Sequence, residues 1–277
     1  MTSTARNQSG SNQNRPNQSG PERGVGEKWR QKWGKYRKPG YYEELDYAWT
    51  MTIDLDRCTG CEACVIACKA ENNLPIVGEK AIAQGREIQW LRIERYWEGE
   101  YPNAKLRFIP MLCQHCEAAP CETVCPVTAT YHNQDGLNAQ IYNRCIGTRS
   151  CAVYCPYEVR YFNYNDHHWD PPLEQQLNPD VTVREKGVME KCTFCIQRIR
   201  QAKDLAKDDG RRRVRDGEVQ PACVQACPAE ALVFGDRKDP ASRVSASMND
   251  PRAYRVLDEL NTRPSVIYLK KVTADAG

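Results

Sequence analysis

CTGCEACVIAC, residues 58–68, is the stretch on which the fold turns. Cys58, Cys61 and Cys64 stand two residues apart, and Cys68 follows after three more. The pattern returns as CQHCEAAPCETVCP (113–126) and CIGTRSCAVYCP (145–156). A fourth copy is split: Cys192-x2-Cys195, a long insertion, then Cys223-x3-Cys227-Pro228. The chain has 15 cysteines in all, and Thr148 occupies the place where the third copy calls for a sixteenth.

An odd count at two- and three-residue spacing makes awkward disulfides. Structural zinc uses paired CxxC motifs, but it does not need a CxxCxxCxxxC run or a proline after the last ligand. Iron–sulfur chemistry needs both. In CxxCxxC the backbone wraps one corner of a cubane, so that three thiolates meet three irons and the fourth ligand comes from elsewhere. Proline after that remote cysteine fixes φ and ends the segment. Sixteen thiolates would serve four such cubanes, so the gap at Thr148 points to three 4Fe-4S clusters and one 3Fe-4S cluster.

In two-cluster ferredoxins each motif's last cysteine serves the other motif's cluster. Extended to four copies, copy one pairs with four and copy two with three. The expected 4Fe-4S sets are Cys58, Cys61, Cys64 with Cys227; Cys192, Cys195, Cys223 with Cys68; and Cys113, Cys116, Cys121 with Cys155. Cys145 and Cys151 with Cys125 are left for the 3Fe-4S cluster, with Thr148 at the missing-ligand position. A threonine alkoxide is not an iron ligand at neutral pH, so one iron is expected to be lost there. That change of cluster charge is expected to raise the potential of this site above its neighbours'.

The 277 residues could form one large or two small domains. With only four Phe and a mean hydropathy of −0.72, a large aliphatic core is not expected, and metal must supply part of the folding energy. No apolar run approaches the roughly 20 residues of a membrane span. The net charge of +3 conceals an asymmetry: residues 1–40 hold nine Lys and Arg against two acids, and the remainder holds 30 against 34. Basic arms can meet nucleic acid, but no reader module accompanies this one, so no nucleic-acid partner is expected.

Residues 1–25, rich in Asn, Gln, Ser and Gly, read as a disordered tail without a secretory or twin-arginine signal. Residues 26–49 form an aromatic and basic stretch with Trp29, Trp33, Tyr36, Tyr41, Tyr42, Tyr47 and Trp49. It suits an interaction arm laid on another subunit, or a short helix packed on the chain's own surface. A strand-like run precedes each cysteine copy: Met51–Asp56, Leu106–Leu112, Gln140–Asn143 and Val188–Lys191. This fourfold unit predicts an α+β fold of two ferredoxin-like two-cluster modules with pseudo-twofold cross-ligation, plus extended N- and C-terminal arms.

The outer module spans 50–105 and 180–235, the inner module 106–179, and the C-terminal arm 236–277. Ala231–Phe234 is expected as a closing strand, and RIRQAKDLAKDD (198–209) as an exposed helix. The arginine run at 211–215 reads as a solvated loop or as a dock for an acidic partner. His115 could tune a cluster or simply pack; His132, His167 and His168 read as structural. No nucleophile–base pair, phosphate loop or carboxylate pair stands out, so the chain is expected to carry electrons and to hold no catalytic site of its own.

With these motifs in view, the chain resembles the four-cluster ferredoxin subunit of the complex iron–sulfur molybdoenzyme superfamily over roughly residues 50–270. The stretches at 54–78, 111–132, 142–164, 233–245 and 252–269 look most like the iron–sulfur part of alternative complex III, and the CIGT spelling at 145–148 is the sharpest of these likenesses. The resemblance implies a membrane-bound, quinol-oxidising complex in which electrons pass to a cytochrome or copper protein. It implies an integral membrane quinol-binding subunit, with the 3Fe-4S cluster nearest to it, a cytochrome c subunit and a molybdopterin-fold subunit without molybdenum. In many relatives the ferredoxin unit is fused behind that last domain; here it stands alone. The implied location is peripheral, on the extracytoplasmic (periplasmic) face, after export with a signal-bearing partner. The iron–sulfur subunit of a molybdenum reductase and a free polyferredoxin remain as alternatives.

Overall fold

The run WTMTID forms the central strand in the computed structural model, which describes residues 44–272. In chain order the elements are β1 (Trp49–Asp54), α1 (Ala63–Glu71), α2 (Glu79–Ala83), β2 (Leu91–Glu98), β3 (Lys105–Leu112), α3 (Pro120–Thr123), β4 (Thr130–His132) and β5 (Asn138–Gln140). Then follow α4 (Ser150–Val153), β6 (Tyr161–Phe162), β7 (Met189–Glu190), α5 (Ile196–Asp208), α6 (Ala222–Gln225), β8 (Leu232–Asp236), α7 (Arg243–Met248), β9 (Ala253–Tyr254) and β10 (Val266–Leu269). The mixture of short sheets and helices is the α+β class expected.

Alternation along β1 sends Trp49, Met51 and Ile53 to one face and Thr50 and Thr52 to the other. Both faces are buried. β8 pairs with β1 antiparallel, β10 pairs with it parallel, and β9 closes the far edge in the order β8-β1-β10-β9. Gly235 lies opposite Thr50, and a Cβ on it would come within 3.2 Å of Val244, so α7 covers the threonine face. The other face meets the cysteine loops through a train of rings. Tyr47 stacks on Trp49 at 4.9 Å and Trp49 on Phe234 at 5.5 Å; Phe234 meets the edge of Phe194 at 5.2 Å, and Phe194 stacks on His115 at 4.0 Å.

Four expectations are corrected. Residues 236–272 are no extended arm, because β10 is a fully buried neighbour of β1 and its apolar VIYL run has nowhere else to hide. Trp49 and Tyr47, assigned to the aromatic arm, belong to this chain's own core, whereas residues 26–43 lie outside the described residues. The run Gln140–Asn143 ends its strand at Gln140 and tightens into a 3₁₀ turn over Tyr142–Arg144. The helix after Cys195 is amphipathic, burying Ile199, Ala202 and Ala206 along one stripe.

The arginine run is ion-paired within the chain: Arg211 to Asp209 and Glu218, Arg212 to Asp46, and Arg213 to Asp236. The β2–β3 hairpin, which the sequence pattern does not separate, runs in register from Leu91↔Leu112 to Glu98↔Lys105 across the expected boundary at 105/106. β6 also pairs with β7 across the boundary at 179/180. The expected modules are therefore hydrogen-bonded to each other at two places.

Phe234→Ala would remove the ring that joins Trp49 to Phe194. It is expected to cost about 3–5 kcal/mol, read as a lowered denaturation midpoint of the cluster-loaded protein.

Candidate iron–sulfur centres

The four cysteine copies share a backbone as well as a spacing. The residue before the second cysteine position is left-handed in every copy: Gly60 (φ 70°), His115 (φ 44°), Gly147 (φ 71°) and Phe194 (φ 54°). In copies one and three the residue after that position is left-handed too, Glu62 and Arg149 both at φ 61°, and each caps the helix that carries the third cysteine. Close packing restricts the two glycines further. A Cβ on Gly60 would lie 2.4 Å from the Phe108 ring, and one on Gly147 would lie 2.4 Å from the Gly187 carbonyl oxygen. Gly60-Cys61-Glu62 and Gly147-Thr148-Arg149 are thus the same turn, and Cys61 and Thr148 are both exposed at its rim.

The last cysteines also share a turn. After Cys125, Cys155 and Cys227 comes proline, then a residue, then a left-handed residue: Thr128 (φ 51°), Glu158 (φ 50°) and Glu230 (φ 47°). This bend aims the fourth amide back at the sulfur. Ala129 N–H donates to Cys125 Sγ at 3.1 Å and Ala231 N–H to Cys227 Sγ at 3.3 Å, and the Val159 amide draws the Cys155 thiol down against the push of burial. Cys68 has no following proline and lies inside α1. There Asn72 takes over, with Nδ2 3.7 Å from Cys68 Sγ and 3.8 Å from Cys195 Sγ. Glu71, hydrogen-bonded by Arg198 Nη2 at 2.7 Å, ties the end of α1 to α5.

All fifteen cysteines are free, and ten are buried. Their sulfurs gather in four groups. Cys58, Cys61, Cys64 and Cys227 line one cavity, capped by Ile93 and Leu232. Burial and the neighbouring Cys58, Cys227 and Cys61 push the Cys64 thiol up to about 12. Cys68 and Cys223 are raised well above the ordinary thiol range, by burial and then by Cys192 and Cys195, and Cys68 also acts on Cys223. Cys116 is raised by burial and by Cys113, Cys121 and Cys155. Cys151 is raised by burial and by Cys145 and Cys125, against the pull of Arg160. Cysteines from different copies are thus neighbours: Cys227 with the first copy, Cys68 with Cys192 and Cys195, Cys155 with Cys116, and Cys125 with Cys151. Neighbouring groups also sense one another: Cys64 acts on Cys68 and Cys223, and Cys113 acts on Cys192.

Four buried thiols that repel one another would remain protonated unless a cationic centre drew the charge out of them. Among the described residues no three His, Cys, Asp or Glu side chains close on a single ion-sized point. Sulfurs gathered in fours, with amides donating to them, fit an iron–sulfur cluster: N–H···S bonds are the protein's means of setting its charge and potential.

His115 takes the packing role. Its ring is buried against Phe194, and burial with Lys191 nearby holds its pKa well below the usual imidazole range. His132 pairs with Glu122 at 2.7 Å, and His167 with Asn163 at 2.9 Å. Asn72 and Arg160 are not singled out by the sequence. Their only signal there is a fixed offset from a cysteine, four residues past Cys68 and five past Cys155.

Residues 57–129 and 104–170 each match a 4Fe-4S dicluster domain family. The iron–sulfur cluster-binding subunit of menaquinone reductase from Nitratidesulfovibrio vulgaris is 42% identical over 237 residues, covering 83% of this chain and 91% of that protein. The Hdr-like menaquinol oxidoreductase iron–sulfur subunit 1 of Archaeoglobus fulgidus is 37% identical, covering 80% and 83%. A tetrathionate reductase subunit of Salmonella typhimurium is 32% identical, covering 80% and 72%. The chain belongs to this family of iron–sulfur oxidoreductase subunits. Its cofactors are clusters of the 4Fe-4S type, and its work is electron transfer. Among the described residues no helix is long and apolar enough to cross a membrane.

Because ten of the ligand-type thiols sit inside the core, stripping iron should dismantle the fold. An iron chelator with reductant is expected to abolish the near-UV circular dichroism of the tertiary structure; an unchanged spectrum in iron-free protein would contradict this.

Proposed function

We propose that this chain is the electron relay of a membrane-bound, quinol-oxidising complex of the alternative complex III type, holding three 4Fe-4S clusters and one 3Fe-4S cluster. The observation that carries this reading is Thr148 in a turn whose backbone matches that of Cys61. The 4Fe-4S ligands are Cys58, Cys61, Cys64 and Cys227; Cys68, Cys192, Cys195 and Cys223; and Cys113, Cys116, Cys121 and Cys155. Cys125, Cys145 and Cys151 hold the 3Fe-4S cluster. The clusters supply one-electron transfer; the chain supplies thiolates, amide donors and dry surroundings. The electrostatic reach of Cys64 to Cys68 and of Cys113 to Cys192 supports a line of groups, with the Thr148 site at one end.

A site with one iron fewer, and so a higher potential, suits electrons arriving from a mild donor such as a quinol. The quinol site lies in an integral membrane partner. The chain is bound peripherally on the extracytoplasmic face beside a molybdopterin-fold subunit and a cytochrome c subunit, with a cytochrome or copper protein as the acceptor. The likeness to a menaquinol oxidoreductase subunit supports the quinone connection.

Two other readings rest on relatives' names. Likeness to a menaquinone reductase subunit favours the same wire run towards quinone, and likeness to a tetrathionate reductase subunit favours a molybdenum partner. Molybdenum in the purified complex would select the latter, and quinone reduction faster than quinol oxidation the former.

Electron paramagnetic resonance of the air-oxidised, cluster-replete protein is expected to show a three-iron signal that vanishes on reduction; its absence would sink the assignment. Thr148→Cys places a thiol where Cys61 has one, and is expected to convert the site to a cubane, lower its potential and slow quinol oxidation.

A further inference from the structure

Arg160 is buried at the end of the turn after Cys155-Pro156, against Cys121 of one inner sulfur group. Its Nη2 donates to Cys121 Sγ at 3.1 Å, to Thr130 Oγ1 at 2.7 Å and to Asn138 Oδ1 at 2.8 Å, while Nη1 donates to Gln140 Oε1 at 3.1 Å. The same guanidinium acts electrostatically on Cys151 of the three-sulfur group, drawing its thiol down against the push of burial. Among the described residues no carboxylate pairs with it. The nearby Glu122 is engaged by His132 at 2.7 Å and by Asn138. A buried guanidinium without an acid is costly unless another negative charge stands beside it. Here the sulfurs are that charge: burial works against the cation, and Cys121, Cys151, Cys113 and Cys155 outweigh it.

We propose that Arg160 is a shared counter-charge for the two inner sites, raising the reduction potential of both and joining them electrostatically at the Thr148 end of the wire. The inference rests on the cluster assignment above. Reduction adds one electron, and so one negative charge, to a site whose sulfurs already feel this cation, by a hydrogen bond at Cys121 and through space at Cys151. No proton moves, because the guanidinium is charged in both states. Each site is then easier to reduce than its ligand set alone would make it. An electron on one site is also partly screened from the other. Among the described residues no such side-chain cation donates to a ligand sulfur of the two outer groups, where Asn72 supplies a neutral amide. Arg160 acts through Cys121 and Cys151 and is therefore a positioning residue rather than a catalytic one.

The test is redox titration of the cluster-loaded chain in its complex, followed by the paramagnetic signals of the inner sites, for wild type, Arg160→Gln, Arg160→Lys and Gln140→Glu. Charge loss in Arg160→Gln is expected to shift both inner equilibria towards oxidation by at least about tenfold, which is 59 mV for a one-electron couple. The outer sites should move less than about twofold, and Arg160→Lys should recover most of the shift. Gln140→Glu keeps the guanidinium and gives it a carboxylate, so it should lower both inner potentials even if Arg160→Gln loses clusters. Unchanged inner potentials in Gln140→Glu and in a cluster-replete Arg160→Gln would overturn the proposal. A shift at one inner site alone, or an equal shift in Arg160→Lys, would overturn it as well. Iron and sulfide contents of the wild type separate this failure from failure of the cluster assignment itself.

Discussion

Sulfur in a low-dielectric interior is the constraint on which the rest depends. Ten of fifteen thiols are shut away from water, where a lone thiolate is unstable and four together are more so. The protein answers with geometry before chemistry. Left-handed residues turn each loop so that its sulfurs face inwards, prolines stop the chain after a remote cysteine, and the amides freed by those turns donate to sulfur. The hydrophobic core is arranged to serve this. The aromatic train from Tyr47 to His115 buries apolar area while fixing where the loops of Cys113 and Cys192 stand relative to the sheet.

Much of this was legible in the sequence because ligand spacing is a local property that writes itself into residue order. The four cysteine copies and three of the strands that enter them could be read from it. What escaped reading was long-range. Nothing near Val266 says that it will lie beside Met51, because β10 is an ordinary apolar run whose partner is more than two hundred residues away. The β2 half of the β2–β3 hairpin was obscured by charges along its exposed end, although β3 was read as a strand. Nothing in the residue order marks Arg160; only the fold shows that it is buried beside sulfur rather than solvated.

The left-handed residues also distinguish two means to one end. Copies one and three use glycine before the second ligand position, where neighbouring atoms leave no room for a side chain. Copies two and four place His115 and Phe194 in the same strained region, and those two rings stack on each other. The strain of each, of order 1 kcal/mol, is offset by the apolar surface they bury together. One loop geometry is thus held by emptiness in one pair and by packing in the other.

The parallel pairing of β1 with β10 bears on the order in which the molecule can be made. The sulfurs of the two inner groups all lie between residues 113 and 155, so they can meet as soon as that stretch has left the ribosome. The outer groups must wait for Cys223 and Cys227, and the sheet behind them for the last strand of the described chain. Loop-closure entropy favours the same sequence, since short loops close before long ones. Biogenesis thus has a built-in direction, from the centre outwards, with the two edges of the described chain meeting last.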